Sequence, residues 1–161
     1  MITSSKTNSL QGNIILPGDK SISHRAIIFG ALSIGKTVIE GLLESEDIYR
    51  TIEAMEKFGA RIIKNKNNWE VDGFGVGGFS SPDSVIDCGN SGTTCRLLMG
   101  AIATTPIKAV FVGDPSLSKR PMDRIIEPLE RMGASFIARE NSFLPITITG
   151  AKEPLPIRFE A

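Results

Sequence analysis

The chain has 161 residues, eighteen basic and eighteen acidic side chains that cancel, and a hydrophobic content of 41%. That length buries one core or the bulk of one domain, and the balanced charge leaves no overall field to recruit nucleic acid or an anionic membrane. No apolar run is long enough to span a bilayer, and Met1 to Asn8 carries neither the apolar stretch of a signal peptide nor the arginine-rich pattern of a transit peptide, so the expected location is the cytoplasm.

Residues 1–19 read as an amino-terminal strand region that leads into Leu16-Pro17-Gly18-Asp19-Lys20-Ser21-Ile22-Ser23-His24-Arg25. This segment sets a lysine, two hydroxyls and an arginine where an apolar helix begins. The run Ala26, Ile27, Ile28, Phe29, Ala31, Leu32 is too continuously apolar for a surface helix, which predicts a buried helix with only its start near solvent. A helix N-terminus offers free backbone N–H groups and a partial positive charge, and Lys20 and Arg25 would reinforce both, making a site for phosphate or carboxylate. His24, the sole histidine, has an unperturbed pKa near neutrality, but no carboxylate partner is identifiable in the sequence. It reads as a hydrogen-bonding residue that orients its neighbours rather than as a proton shuttle.

Gly30-Ala31-Leu32-Ser33-Ile34-Gly35-Lys36-Thr37 matches the phosphate-loop pattern of nucleotide triphosphatases in full. That loop works only between a preceding strand and a following helix. Here the preceding residues read as a helix and Thr37-Val38-Ile39-Glu40-Gly41 as a strand, so nucleotide binding is the weakest reading. A second anion-binding arrangement follows at Cys88-Gly89-Asn90-Ser91-Gly92-Thr93-Thr94-Cys95-Arg96, where glycines, hydroxyls, an amide and an arginine precede the apolar Leu97, Leu98, Met99, Ala101 and Ile102. The six residues between Cys88 and Cys95 match no strong zinc or thioredoxin spacing. Both cysteines are expected to be buried free thiols, and no metal site is expected.

The chain repeats itself. Tyr49 to Ala60 matches Asp123 to Ala134 at an offset of 74, from Gly59 to Gly133, and the register extends to Arg25–Ala31 with Arg96–Ala101, Thr37–Gly41 with Val110–Gly113, and Trp69–Gly73 with Ile146–Gly150. The turn equivalent to the phosphate-loop match, Ala103-Thr104-Thr105-Pro106-Ile107, has no such glycine or lysine. The glycines after Phe58 and Met132 suit helix C-caps, and Trp69/Val71 and Ile146/Ile148 alternate with polar residues as half-buried strands do. The expected fold class is α/β (α+β), built from repeated helix-strand-helix-strand-strand units, each unable to bury its faces alone. One copy is expected at about 20–82 and another at about 83–152 in a repeat domain spanning 20–161; a third unit would begin at 153–161 with a strand from Leu155 to Phe159.

Three segments together, Leu16 to Arg25, Asn90 to Arg96 and Gly113-Asp114-Pro115-Ser116-Leu117-Ser118-Lys119-Arg120-Pro121-Met122, resemble the signatures of the 5-enolpyruvylshikimate-3-phosphate synthase (3-phosphoshikimate 1-carboxyvinyltransferase) family, in order and across nearly the whole chain. The resemblance implies an enolpyruvyl-transferase-like fold of two domains, incomplete here, whose helix starts face a central cleft. It implies transfer of the enolpyruvyl group of phosphoenolpyruvate to the 5-hydroxyl of shikimate 3-phosphate, by protonation, addition to a tetrahedral intermediate and loss of phosphate, on the route to chorismate and the aromatic amino acids. No cofactor or metal is implied.

By the same resemblance Lys20 contacts both substrates and takes part in catalysis, Ser21 and Arg25 hold shikimate 3-phosphate, and Asn90, Gly92 and Arg120 join Lys20 in binding phosphoenolpyruvate. Lys20 would steady the departing phosphate, or relay a proton if burial among cations lowers its pKa. Gly92 lies where the herbicide glyphosate competes, so glycine implies the sensitive type; the bland alternative is a glycine required only by turn geometry. Members of the family continue well beyond a length of 161 residues. The expectation is an amino-terminal piece, inactive alone, that needs the carboxy-terminal half. The alternatives are an enzyme reconstituted with a separately made second half, a non-catalytic anion-binding or scaffold domain, and, last, a phosphate-loop nucleotide-binding protein.

Overall fold

The two copies of the sequence repeat each close an antiparallel sheet in the same strand order. A computed structural model describes residues 2–6, 8–9 and 11–160. The first copy runs α1 (Lys20–Leu32), β1 (Ile34–Glu40), α2 (Glu46–Lys57), β2 (Arg61–Lys64) and β3 (Asn68–Phe74). The second opens with a short β4 (Ile86–Asp87) and then runs α3 (Gly92–Ile102), β5 (Lys108–Val112), α4 (Asp123–Arg131), β6 (Ser135–Arg139) and β7 (Phe143–Thr149). The sheets are ordered β1-β3-β2 and β4-β5-β7-β6, so β5-β7-β6 restates the first sheet and β4 is added in parallel beside β5.

The registers agree in detail. Val71 stands opposite Thr37 and Ile62, and its counterpart Ile148 stands opposite Ala109 and Phe136. Trp69, Val71, Ile146 and Ile148 are all buried, as their alternation with polar residues predicts. Both second helices end alike. The N–H groups of Gly59 and Ala60 donate to the carbonyls of Glu56 and Met55, and those of Gly133 and Ala134 donate to Glu130 and Leu129. The glycines sit at φ +108° and +104°, a left-handed conformation in which a side chain is strained. A second glycine pair stands at the ends of the central strands, Gly73 within β3 and Gly150 just after β7. At Gly73 a Cβ would lie 2.2 Å from the Ser33 carbonyl oxygen and 2.4 Å from that of Gly30; at Gly150 it would lie 2.0 Å from the Thr105 oxygen and 2.3 Å from that of Ile102. In each copy the strand end passes against the end of the first helix too closely for a methyl group.

One core serves both copies. Ile27, Ile48, Met55, Phe58 and Val71 from the first and Leu98, Met99, Phe111 and Ile146 from the second belong to one buried cluster, with α2 packed against both α1 and α3. Neither copy buries its faces without the other. Cys88 and Cys95 are buried, free thiols within that core, and the hydrogen bond with Cys95 together with burial pushes the Cys88 thiol up.

Three expectations are corrected. Helix α1 is covered on one face only: His24, Ile27, Ile28 and Ala31 are buried against α2, α3 and β3, but Phe29, expected to be buried with them, is 62% exposed, because nothing among the described residues covers the face that carries it. The amino-terminal strand region forms no strand among its described residues, and Leu155 to Phe159 forms none either, since no described segment pairs with them. A strand requires a partner as well as an apolar run. The phosphate-loop match is a connection, as read from the sequence: it runs from the end of α1 into β1, the reverse of the order a phosphate loop needs, and Lys36 pairs with Glu70 at 2.6 Å.

Candidate functional site

The first helices of the two copies begin close together. The side chain of Asp19 caps α1 by accepting the Ile22 N–H at 2.8 Å, and the hydroxyl of Ser91 caps α3 by accepting the Thr94 N–H at 3.2 Å. Each cap leaves the next residue, Lys20 or Gly92, at the mouth of its helix. Between the two mouths lies a cleft of about 260 Å³ lined by Lys20, Asp47, Asn90, Gly92, Thr93, Arg96 and Arg120.

Arg120 reaches this cleft through two loops laced at the ends of the parallel strands β4 and β5. The Asp114 N–H donates to the Gly89 carbonyl at 2.8 Å, and the Asp114 carboxylate accepts the Asn90 amide at 2.8 Å and the Leu117 N–H at 2.7 Å. Leu117–Lys119 thereby closes a 3-10 turn, and Arg120 follows it, donating to the Asn90 amide oxygen at 2.5 Å and to the Ser116 hydroxyl at 3.3 Å. Asn90 therefore has both ends of its amide held, which fixes its orientation.

Four of the residues named from sequence, Lys20, Asn90, Gly92 and Arg120, meet in this one cleft. Ser21 and Arg25 do not line it. Both are on the exposed side of α1, where the Arg25 guanidinium folds back onto the Ser21 carbonyl at 3.0 Å. Lys20 differs from its expected setting too: its side chain keeps 53% of its surface and faces the Asp47 carboxylate at 3.0 Å rather than being buried among cations. Gly92 is not a turn glycine. It is the first residue of α3 and has no positive φ, whereas the turn is made at Gly89, at φ +53°. A Cβ on Gly92 would meet the Arg96 Nη1 at 2.8 Å and the Arg120 Nη1 at 3.4 Å. The missing side chain leaves room for two guanidinium tips that converge on one point, an arrangement that suits a shared anion.

Asp47, Thr93 and Arg96 are the cleft residues to which the sequence assigned no substrate, although Thr93 and Arg96 lie in the second anion-binding segment. Asp47 could not be found, because it lies 27 residues from Lys20 and nothing local marks the pair. Beneath the cleft His24 is wholly buried, its Nδ1 2.7 Å from the Thr51 hydroxyl, and burial lowers its pKa below the ordinary value, with Asp47 opposing and Lys20 and Arg25 adding to the shift. Among the described residues no carboxylate hydrogen-bonds to its ring. No group of His, Cys, Asp and Glu among the described residues could hold a metal ion, and no helix among them is long and apolar enough to cross a membrane.

The family model for EPSP synthase (3-phosphoshikimate 1-carboxyvinyltransferase) matches residues 4–160. The chain is 55% identical over 160 residues to the 3-phosphoshikimate 1-carboxyvinyltransferase of Paracoccus denitrificans, a match covering 99% of the chain and 36% of that relative. It is 56% identical over 156 residues to the enzyme of the same name from Rhodopseudomonas palustris, covering 96% of the chain and 35% of the relative. Among solved structures, an EPSP synthase from Acinetobacter baumannii superposes with a TM-score of 0.86 at 41% identity, over 92% of this chain and 34% of that one. The chain thus spans about a third of the length of the relatives it matches.

Proposed function

We propose, for a chain that belongs to the EPSP synthase family, that the cleft between α1 and α3 binds phosphoenolpyruvate and forms one side of the site where its enolpyruvyl group passes to the 5-hydroxyl of shikimate 3-phosphate. The observation that carries this reading is the convergence of Lys20, Asn90, Gly92 and Arg120 on one cleft from segments far apart in sequence. Phosphoenolpyruvate presents a carboxylate and a phosphate, and the cleft offers Lys20, Arg96 and Arg120 as cations with Asn90 and the free N–H groups of a helix start as neutral donors.

In the reaction a proton is added to the methylene carbon of phosphoenolpyruvate and the 5-hydroxyl oxygen bonds to C2. The tetrahedral intermediate then expels phosphate as a proton leaves and the double bond reforms. Both substrates are polyanions, so bringing the reacting carbon and oxygen together depends on fixed positive charge. Asp47 holds Lys20 at the cleft, from where its ammonium steadies the departing phosphate. Ser21 and Arg25, on the adjoining exposed side of α1, are assigned to shikimate 3-phosphate. The groups that face them come from the region carried by the longer relatives, and the same reading places the chain in the cytoplasm.

The test is phosphate release from phosphoenolpyruvate and shikimate 3-phosphate by the 161-residue chain, with and without a separately expressed carboxy-terminal region. Release only in the mixture is the expected result. Release by the chain alone overturns the divided site, and no release from a folded, associated mixture leaves the anion-binding or scaffold reading in its place.

A further inference from the structure

Four polar side chains are buried together where α1, α2 and α3 meet: His24, Thr51 and Thr94 at 0% exposure and Ser91 at 1%. Their contacts form one chain. His24 Nδ1 lies 2.7 Å from the Thr51 hydroxyl, which lies 2.8 Å from that of Thr94, and the Thr94 hydroxyl lies 2.7 Å from that of Ser91. The Asp47 carbonyl lies 3.2 Å from the Thr94 hydroxyl and 3.5 Å from that of Thr51, and with Thr51 donating to Thr94 it accepts the Thr94 proton. The chain thus begins on α1, crosses α2 at Thr51 and ends on the residue that caps α3.

Such a network is a poor way to gain stability. Buried hydroxyls contribute little net free energy over apolar groups of the same shape, and a half-broken set costs more than none. Its members are placed instead where two anion-binding groups must keep register. Ser91 stands between Asn90 and Gly92, and Asp47, whose carbonyl the network holds, grips Lys20 with its carboxylate. Thr51 is the member that joins α1 to α3, with His24 on one side and Thr94, which carries the contact on to Ser91, on the other.

We propose that Thr51 is a positioning residue of the phosphoenolpyruvate cleft: its hydroxyl, bridging His24 on α1 to Thr94 and the Ser91 cap on α3, sets the spacing of the two helix starts that hold the anion. The inference rests on the functional reading above and adds to it a residue that touches no substrate. It makes the imidazole of His24 a reporter of the cleft, because occupancy at Asn90 and Gly92 reaches it through hydroxyls rather than through direct contact. As the sole histidine, His24 gives one resolved set of imidazole nitrogen signals.

The experiment is a phosphoenolpyruvate titration of the 161-residue chain followed by nitrogen-15 NMR, in wild type, Thr51→Val and Thr51→Ser. The expected result is that the Asn90 and Gly92 amides and the His24 imidazole move together in wild type. Thr51→Val weakens binding about tenfold and uncouples the imidazole from the amides, and Thr51→Ser restores both to within about twofold. A purely structural role would lower the melting temperature of Thr51→Val and leave affinity and coupling unchanged in the folded fraction. Amides that move while the wild-type imidazole stays still overturn the inference without any variant, as does unaltered coupling in Thr51→Val. Amides that do not respond to phosphoenolpyruvate at all overturn the functional reading and the inference with it.

Discussion

The loop after β1 and the loop after β5 hold equivalent places in the two copies, yet their lengths and tasks differ. The first spans residues 41–45, five residues, and the second 113–122, ten residues. Both begin with a glycine packed against the glycine loop that precedes the first helix: a Cβ on Gly18 would lie 2.0 Å from the Gly41 oxygen, and one on Gly113 would lie 3.1 Å from the Gly89 oxygen. After that the short loop runs directly into α2, while the long one caps itself with Asp114, closes a 3-10 turn and delivers Arg120 to the cleft. The comparison separates two kinds of constraint. Glycines and strand register repeat because the backbone geometry of both copies needs them, and the cations do not repeat because only one side of the pair has extra chain in which to place them.

The backbone half of the comparison is the easiest to break. Gly73→Ala and Gly150→Ala each force a methyl to within 2.4 Å of carbonyl oxygens, so each is expected to destabilise the fold by about 3 kcal/mol, measured by chemical denaturation. Gly100→Ala is the control, since a Cβ there meets nothing within 4 Å on an exposed stretch of α3, and it should stabilise by about 0.5–1 kcal/mol. A large loss in one copy and none in the other would dissolve the structural equivalence of the pair.

The chemical half predicts asymmetry. Arg120→Ala removes the cation carried by the long loop, and kcat/KM for phosphoenolpyruvate in the reconstituted enzyme should fall about 100-fold. Glu44→Ala in the short loop breaks contacts to Lys64, Tyr49 and Trp69, away from the cleft, and the same ratio should stay within about twofold. Equal losses would mean that both loops serve the cleft.

A smaller effect belongs to Gly92. Its Cβ would press first on the far end of Arg96, a flexible guanidinium, so Gly92→Ala should fold with an unchanged melting temperature while glyphosate inhibition weakens about tenfold in the reconstituted enzyme. Unchanged inhibition would place the herbicide away from the converging arginines. A fall in melting temperature with inhibition intact would make the close packing of Arg96 and Arg120, and not the herbicide, the reason for a glycine here.

What could be read from the sequence follows the same division. The helix starts at Lys20 and Gly92, the glycine ends at Gly59 and Gly133 and the helix-strand-helix-strand-strand order were legible because each is written in a few consecutive residues. Arg120, and the substrate assigned to Asn90, came only through family resemblance, and what sets the two residues in place, the lacing of Asp114 to Gly89 and Asn90, joins residues 24 or more apart. The exposed Phe29 was misread as buried because an apolar run states a preference for burial and says nothing of what is present to cover it. The unformed strand at Leu155 to Phe159 is the same error in another form.

The smallest expected effect concerns His24, which tests whether the buried hydroxyl chain behaves as one unit with the first helix of each copy. Burial lowers its pKa from 6.5, more than the facing Asp47 restores, and Lys20 and Arg25 lower it further. The folded chain therefore resists the proton that the unfolded chain accepts. The stability this histidine contributes is present above about 6.5 and is lost as the pH falls from there through its lowered folded value. Glu44 and Glu70, held below 4.5 by Lys64 and Lys36, lose their contribution only in more acidic solution. Glu56, raised by burial, shifts the other way in every variant alike and cancels in the comparison. His24→Asn keeps a side-chain group able to bond the Thr51 hydroxyl but has nothing to titrate, so denaturation between pH 7.5 and pH 5.5, about one pH unit either side of the ordinary histidine value, should show wild type losing stability and the variant holding level. Parallel curves would mean that protonated His24 is accommodated in the core, and that the hydroxyl chain yields to it without loosening the two helix starts.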